Sequence, residues 1–180
     1  MDIDTNNIQL SRGHWTIARY IKERATIPMP PVAKINDDAL HITKLAVNAP
    51  VPRAVYVIDD DERYLGTISD SDLVKGLFVH LDPSLYLETH PRALASLVRL
   101  QEDASKLTAS SLMDNGPMPI LDTETVIDAM RALYRRRADE LPVTDASGRL
   151  VGVIRALDIL RDWLEDTLLV KFGDETESYY

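Results

Sequence analysis

Short apolar runs and stretches of helical spacing alternate along the chain, and the same order of elements occurs twice. Each half predicts an extended run, a helix, two strands joined by a polar turn, and a final helix. The predicted extended runs are 32–35 and 118–121, the hairpins are 54–68 and 140–154, and the final helices are 70–81 and 156–169. The pattern therefore predicts two β-α-β-β-α repeats.

The first helix of the second repeat has the clearest amphipathic pattern. Its predicted apolar face consists of Val126, Ile127, Met130, Leu133 and Tyr134. Asp122 and Thr123 precede this face and are the predicted capping residues. The corresponding helix of the first repeat is predicted to be shorter, because Pro50 and Pro52 follow it.

An offset of 86 residues aligns the two halves without a gap. Identical residues then meet at Pro31/Pro117, Ala46/Ala132, Val57/Val143, Asp59/Asp145, Arg63/Arg149, Gly66/Gly152, Ile68/Ile154 and Asp72/Asp158. The apolar phases of 39–48 and 125–134 do not coincide, so we expect a small slip or a different helix exit there. A unit of about 55 residues buries too little surface to be stable alone, so we expect the repeats to pack together or to dimerise as pairs.

Each repeat is also expected to be preceded by its own helix. Ser11 begins one such stretch, with Trp15 and Ile17 among its apolar residues, and we expect it to cap the module by packing, with a membrane or nucleic-acid contact as the alternative. A helical linker, with starts at Asp82 and Pro91, leads into the second repeat. The predicted organisation is an N-terminal helical segment (1–26), a first repeat (27–81), a linker (82–111), a second repeat (112–169) and a C-terminal tail (170–180).

Composition narrows the class of protein. With 45% apolar and 27% charged residues the chain has an ordinary globular balance. No apolar run approaches the roughly 20 residues of a membrane helix, and the polar N-terminus is not typical of a signal peptide. The absence of cysteine fits a cytoplasmic protein. A net charge of −9 argues against a general nucleic-acid surface.

The sequence offers no catalytic constellation and no metal site. The four histidines, at positions 14, 41, 80 and 90, lack zinc-ligand spacing. The acidic run 59–62 lacks the glycine of a calcium loop and is predicted to be a solvated hairpin turn. The basic run 135–137 is interpreted as charge at a helix C-terminus, and steering of phosphates is the alternative. We therefore expect a protein that is not an enzyme.

Two sets of residues resemble the signature of the CBS domain, named after cystathionine β-synthase. Segments 141–145, 150–154 and 158–160 carry it in the second repeat, and 57–59 with 65–73 carry it in the first. The resemblance covers 27–81 and 112–167 and implies a tandem pair, or Bateman module, of the α+β class. In that family the repeats join through their sheets around a pseudo-twofold axis, the clefts between them commonly bind adenosine nucleotides, and the pairs often form homodimers.

The resemblance also implies a ligand site in the first repeat, which has the family's glycine, hydroxyl and acid at Gly66, Ser69 and Asp72. The glycine admits the ligand to the backbone, the serine and the helix start hold a phosphate, and the aspartate accepts the ribose hydroxyls. Val32 and Val55 are expected to form a slot for the base. Ser69 and Asp72 are equally typical of a helix cap, and the two interpretations are compatible.

The second repeat departs from this pattern. Asp158 retains the acid, but Arg155 stands where the hydroxyl is expected. An arginine at this position either clamps a phosphate or fills the site and blocks it, and both interpretations remain open. We prefer one nucleotide per chain.

These expectations lead to three hypotheses. The first is a regulatory module that binds AMP, ADP, ATP or a related adenosyl metabolite, with Mg²⁺ only as a companion of the nucleotide, and that acts on an unidentified partner protein. The alternative is a ligand-free scaffold for dimerisation or protein interaction. A nucleic-acid-binding regulator is a weaker third hypothesis, because the net charge opposes it.

Overall fold

A computed structural model describes residues 12–23, 29–49, 54–80, 104–114 and 116–174 of the chain, with backbone only for 78–80 and 167–174. The fold is α+β with two three-stranded sheets, as predicted. The chain divides into a first-repeat unit and a second-repeat unit. The first-repeat unit comprises Pro28–Met118 with Ser147–Leu150, and the second-repeat unit comprises Met1–Ile27, Pro119–Ala146 and Val151–Tyr180.

The described helices and strands follow the predicted order within each repeat. In chain order they are α1 (Ile17–Glu23), β1 (Val32–Lys34), α2 (Ala39–Asn48), β2 (Ala54–Ile58), β3 (Tyr64–Ser69), α3 (Asp70–Val74) with a π-helical continuation (Lys75–His80), α4 (Ala109–Leu112), β4 (Ile120–Leu121), α5 (Val126–Arg136), β5 (Glu140–Thr144), β6 (Leu150–Arg155) and α6 (Ala156–Asp174). Both predicted β-α-β-β-α repeats are therefore present.

The first-repeat sheet has the strand order β1-β2-β3. β1 runs parallel to β2, and β2 pairs with β3 in antiparallel register from Ala54↔Ser69 onward, with a bulge near the turn. Apolar side chains from the sheet and from α2, α3 and α4 form its core: Ala33, Ile42, Val55, Val57, Ile68, Leu73 and Ala109. Burial of this face against helices supplies the main stabilisation of the unit.

The acidic run between β2 and β3 forms the predicted hairpin turn. The Asp59 carboxylate accepts hydrogen bonds from the backbone N–H groups of Asp61 at 2.9 Å and Arg63 at 2.8 Å. Asp60 extends to Lys34 Nζ at 3.4 Å. Glu62 adopts a left-handed conformation with φ of 64°. The carboxylates are therefore used to shape and solvate the turn.

The second-repeat sheet has the order β4-β5-β6, and its first strand is shorter than predicted. In the first repeat, the Tyr56 N–H donates to the Pro31 carbonyl at 2.9 Å and extends the parallel pairing. Pro142 occupies the corresponding position of β5 and has no N–H to donate. The pairing of β4 is consequently limited to Ile120↔Val143 and its neighbour.

The predicted slip between the repeats is confirmed. Asp38 is the N-cap of α2 and Thr125 is the N-cap of α5, so the helices correspond at an offset of 87, whereas the hairpins correspond at 86. The first repeat therefore has one more residue than the second between the N-cap of its helix and the start of its hairpin. The predicted capping residues Asp122 and Thr123 were wrong, because Thr125 forms the capping box with Asp128.

The predicted apolar face of α5 is only partly correct. Val126, Ala129 and Leu133 are buried in the core, whereas Tyr134 is 88% exposed and Met130 is also exposed. Positions spaced by three and four residues face the sheet, and the other apolar side chains lie outside this stripe. An apolar surface therefore remains on the outer side of the helix.

The helix predicted after Ser11 is confirmed as α1, and α4 precedes the second repeat. Trp15 packs against the second-repeat core, and the guanidinium groups of Arg12 and Arg19 lie over its ring. The predicted linker helices at Asp82 and Pro91 lie outside the described residues. Within the described ranges, every helix is too short or too polar to cross a membrane.

Candidate functional site

The junction of β3 and α3 brings Ser69 and Asp72 together. Ser69 ends the strand in an extended conformation and is the N-cap of the helix. Its hydroxyl donates to Asp72 Oδ2 at 2.5 Å and accepts from the Asp72 N–H at 3.2 Å, while its own N–H donates to the same Oδ2 at 2.9 Å. The pair therefore forms a complete capping box, which satisfies two backbone donors at the helix start.

The second carboxylate oxygen of Asp72 is less constrained. Oδ1 lies 3.9 Å from Lys75 Nζ, beyond hydrogen-bond distance, and the Asp72 side chain is 24% exposed. Lys75 is exposed on the next turn of the helix. The junction thus presents a partly exposed carboxylate with an exposed lysine ammonium beside it.

Gly66 lies in β3 opposite Val57, three residues before the cap. A Cβ at this position would collide with the Asp114 carbonyl oxygen. Asp114 approaches so closely because it pairs with Thr67 through two backbone hydrogen bonds of 3.0 and 3.1 Å. Within the first-repeat unit, the glycine therefore allows another segment of the chain to pack on the strand.

The two valines predicted to form the base slot have different surroundings. Val55 is fully buried in the first-repeat core. Val32 is partly buried at the edge strand β1, opposite Tyr56. The structure therefore brings Ser69 and Asp72 together, keeps Val32 at a partly accessible edge, and uses Val55 for packing.

Tyr64 marks the far end of β3 with a perturbed hydroxyl. Its OH donates to the Pro117 carbonyl at 3.3 Å. Burial raises the pKa of Tyr64 to about 12, with a hydrogen bond to Thr67 lowering it and the charge of Asp114 raising it. The neutral phenol is the form that this environment favours.

The corresponding junction of the second repeat is built from charges. Arg155 ends β6, and its Nε lies 3.5 Å from Glu140 Oε2 at the start of β5. The two side chains are only 10% and 15% exposed. Arg155 is therefore nearly buried beside Glu140 of its own repeat, although its Nε makes no hydrogen bond among the described residues.

Asp158 lies in the first turn of α6, close to this ion pair in sequence. Its Oδ1 is 3.9 Å from Arg161 Nη1, and its buried Oδ2 has no hydrogen-bond partner among the described residues. One turn later, the buried Asp162 pairs with Arg12 at 3.4 Å. Asp158 and Asp162, near the start of α6, are therefore charges that arginine side chains compensate only in part.

Sequence reasoning missed Glu140, Arg12 and Asp162 as members of this cluster. Glu140 could have been found from the sequence. At the offset of 86 it corresponds to Ala54, and Ala54 pairs across the hairpin with Ser69, the residue at the hydroxyl position. Arg12 and Asp162 had no such signal, since their meeting depends on how the N-terminal segment packs. In the described part of the chain, no group of three His, Asp or Glu side chains is placed to hold a metal.

The basic run lies at the C-terminus of α5, as predicted. Arg135 and Arg136 occupy the last turn, where cations interact favourably with the helix dipole. Arg137 caps the helix in a left-handed conformation with φ of 52°. The predicted charge at a helix end is therefore present.

The family model of the CBS domain matches the chain twice, at residues 25–79 and 109–165. The chloroplastic CBS domain-containing protein CBSX2 of Arabidopsis thaliana is 25% identical over 171 residues, which cover 90% of this chain and 69% of that protein. A CBS domain-containing protein of Dictyostelium discoideum is 29% identical over 124 residues, covering 69% of this chain and 78% of the relative.

Solved structures are similar to the chain over most of its length. The CBS domain of a CBS domain containing membrane protein from Sphaerobacter thermophilus has a TM-score of 0.61 and 22% identity, covering 81% of this chain and 91% of that one. CBSX2 in complex with AMP has a TM-score of 0.54 and 26% identity, covering 80% and 92%. The tandem arrangement suggested by the sequence is thus found in solved proteins.

Proposed function

Because the chain belongs to the CBS domain family and carries the domain twice, we propose that it is a regulatory module that binds an adenosine nucleotide. The observation that carries this proposal is its similarity to CBSX2, which has been solved in complex with AMP. AMP, ADP and ATP are the candidate ligands, and Mg²⁺ enters as the companion of a phosphate chain. The role is regulatory rather than catalytic, and the cysteine-free composition supports a cytoplasmic location.

We assign nucleotide binding to the β3–α3 junction of the first repeat. Asp72 Oδ1 is the acceptor for a ribose hydroxyl, because Oδ2 already accepts two hydrogen bonds from Ser69. Lys75 Nζ, 3.9 Å from Oδ1, is a cation that can turn toward a phosphate. The capping box supports the site by holding the carboxylate in one orientation.

The remaining predicted residues have supporting roles in this proposal. Val32 contributes apolar surface at the strand edge for the flat base. Val55 stiffens the sheet from the core side, and Gly66 permits the close packing of Asp114 on β3. Substitution of Val55 or Gly66 is expected to weaken binding through the fold, whereas substitution of Val32 is expected to remove a contact with the base.

Regulation follows from differential affinity. A nucleotide that binds one conformation of the module more tightly shifts the population toward that conformation. Occupancy of the nucleotide site then changes the equilibrium between free and bound forms of a partner protein that contacts the module. The proposed output is therefore a nucleotide-dependent affinity for that partner.

The proposal is tested by calorimetric titration of the full chain with AMP, ADP and ATP. We expect saturable binding of at least one nucleotide and a loss of at least tenfold in affinity in Asp72→Ala. Asp128→Ala is the matched control, because Asp128 forms the same type of capping box with Thr125 at another helix. The control removes a cap while leaving the proposed site intact.

Unchanged affinity in Asp72→Ala would show that the site is assigned to the wrong residues. A complete lack of thermal stabilisation by adenosine compounds at millimolar concentration would refute nucleotide sensing itself, because any ligand selective for the folded state raises its stability.

We also propose that the module forms a homodimer, which is the feature it shares with the alternative scaffold function. Exposed apolar side chains occur at matching places on the two repeats, with Val47 75% exposed on α2 and Tyr134 88% exposed on α5. Each residue lines a cavity between neighbouring helices of its own unit, of about 310 and 660 Å³ respectively. A second copy of the chain is the partner that this duplicated apolar surface favours.

Sedimentation of the full chain tests the dimer. Val47→Glu and Tyr134→Glu are expected to shift the protein toward the monomer, because each places a charge in an apolar contact. Val47→Ala provides a milder control. A monomeric wild type at high micromolar concentration would refute the dimer, and a dimer that binds no nucleotide would favour the scaffold.

A further inference from the structure

The two repeats differ at one cross-strand position pair. In the first repeat, Ala54 and Ser69 are direct partners across the β2–β3 ladder. At the offset of 86, the corresponding residues of the second repeat are Glu140 and Arg155. Both members of a contacting pair have therefore changed together, from a small neutral pair to an oppositely charged one.

The charged pair puts two long side chains at the positions that Ala54 and Ser69 hold in the first repeat. The Arg155 side chain is 10% exposed and Glu140 is 15% exposed, so neither presents much surface to a ligand. A ribose or phosphate at this junction would have to displace them.

Charge also opposes an anionic ligand here. The guanidinium of Arg155 is neutralised by the carboxylate of Glu140, with 3.5 Å between Nε and Oε2. A phosphate that approached Arg155 would meet Glu140 as a neighbouring like charge, and displacing that carboxylate would leave it buried without its partner. The pair therefore disfavours the phosphate-clamp interpretation.

The acid of the second repeat is nevertheless in place. Asp158 occupies the position of Asp72, and its buried Oδ2 has no hydrogen-bond partner among the described residues. An unsatisfied buried carboxylate oxygen is costly, and it gains a partner once a hydroxyl can reach it. In the first repeat the corresponding oxygen accepts from Ser69, so a serine at position 155 can supply that partner and leave Asp158 Oδ1, 3.9 Å from Arg161, as the acceptor for a ribose hydroxyl.

We propose that the Glu140–Arg155 ion pair closes a second nucleotide site and thereby limits the chain to one nucleotide. This inference rests on the proposed function of the first repeat and adds a specificity-determining pair to it. Replacing the pair by the first-repeat residues, Ala and Ser, opens the second junction. The chain then has two sites that bind the same class of ligand.

The experiment is calorimetric titration of ATP into the full chain and into Glu140→Ala/Arg155→Ser. We expect the stoichiometry to rise from one to two nucleotides per chain. Adding Asp158→Ala to the double variant is expected to return the value to one by removing the opened site. Asp128→Ala/Arg131→Ser, which removes an exposed ion pair of 3.2 Å from the same unit, is the matched control and is expected to stay at one.

Three results would overturn the inference while leaving the proposed function intact. The first is a wild type that binds two nucleotides and loses one in Arg155→Ser, since Arg155 would then be a clamp. The second is a folded double variant, judged by circular dichroism, that still binds one nucleotide. The third is a second nucleotide bound equally by the Asp128→Ala/Arg131→Ser control. Absence of ATP binding by every variant would overturn the proposed function and this inference together.

Discussion

The two repeats have the same order of strands and helices but differ in chemistry where the last strand meets its helix. The first repeat has a hydroxyl and a carboxylate joined in a capping box, Ser69 and Asp72. The second has a nearly buried arginine paired with a glutamate, Arg155 and Glu140. The backbone of a duplicated domain is thus retained while the group that a ligand would meet is exchanged.

Their interiors differ in the same direction. The buried polar and charged side chains among the described residues are Thr144, Arg155, Asp158 and Asp162, all in the second repeat. The described core of the first repeat is apolar. The second repeat therefore depends on compensation between charges, whereas the first depends on close packing. Mutations that remove a charge and mutations that disturb packing are expected to affect the two repeats differently.

The largest expected effect is that of breaking the ion pair. Glu140→Ala leaves Arg155 as a buried charge without this partner and is expected to lower the free energy of unfolding by about 3 kcal/mol. Glu140→Ala/Arg155→Ser removes both charges and is expected to cost less than Glu140→Ala alone. Urea unfolding followed by circular dichroism measures both values.

Additive costs of Glu140→Ala and Arg155→Ser would contradict this explanation, because residues that act as a pair show a coupling energy in a double-mutant cycle. Arg131→Ala supplies the reference for an exposed ion pair, because it removes the partner of Asp128 at 3.2 Å and leaves the capping box of Asp128 with Thr125 in place. The loss of this exposed ion pair is expected to change stability far less than the loss of Glu140.

Sequence periodicity predicted the repeats because strand pairing and helix packing follow local patterns. The hairpins 54–68 and 140–154 were predicted from apolar, strand-like runs on either side of a polar turn, and β2/β3 and β5/β6 occupy these segments. Boundaries were less predictable where a single hydrogen bond decides them. Pro142 shortened the pairing of β4 by removing one donor, and Thr125 rather than Thr123 became the cap of α5.

The candidate site was predictable only to the extent that it is local. Ser69 and Asp72 are three residues apart, so their contact follows from a helix turn. The contact of Gly66 with Asp114 and that of Arg12 with Asp162 join distant segments. Such contacts depend on how whole helices and strands pack against one another. A single sequence contains no signal for them unless both contacting residues recur in the other repeat.

Gly66 and Gly152 occupy matching strand positions in the two repeats. A Cβ at Gly66 collides with the backbone carbonyl of Asp114, whereas a Cβ at Gly152 lies 3.0 Å from the Cδ1 end of the Ile21 side chain. Since a side-chain terminus moves more easily than a backbone, Gly66→Ala is expected to cost about 2 kcal/mol and Gly152→Ala about 1 kcal/mol or less. Thermal unfolding of the two variants would refute this ranking if Gly152→Ala were the more damaging change.

The two repeats also differ in a titratable group, because Tyr64 of the first repeat corresponds to Leu150 of the second. Burial raises the pKa of Tyr64 to about 12, above its unfolded value of about 10. The neutral phenol therefore contributes stability in full below pH 10, and this contribution is lost as the pH rises toward 12. Solvent screening of this half-buried group limits the loss to about 1 kcal/mol.

Denaturant unfolding at pH 9 and pH 11 measures this effect. Tyr64→Phe has no ionisable hydroxyl, so its stability is expected to fall less over the same range. Equal losses in the wild type and in Tyr64→Phe would show that other groups govern alkaline unfolding.

The smallest expected effect isolates the backbone of the hairpin turns. Glu62 has φ of 64° in the first turn, and Gly148 has φ of 84° at the corresponding position of the second. A left-handed conformation destabilises a residue with a side chain by about 1–2 kcal/mol, and glycine avoids this cost. Ordering glycine costs more conformational entropy, because it is freer in the unfolded chain, and this offsets about half of the gain. Glu62→Gly is therefore expected to stabilise the protein by about 0.5 kcal/mol.

Gly148→Ala is the mirror of this substitution and is expected to destabilise by a similar amount, about 0.5–1 kcal/mol. No heavy atom of the described residues lies within 4 Å of the Cβ that it would add, so packing does not contribute. Opposite signs for the two variants in urea unfolding would attribute the difference between the turns to φ alone. The same sign for both would mean that the Glu62 side chain, rather than its backbone, determines the stability of the first turn.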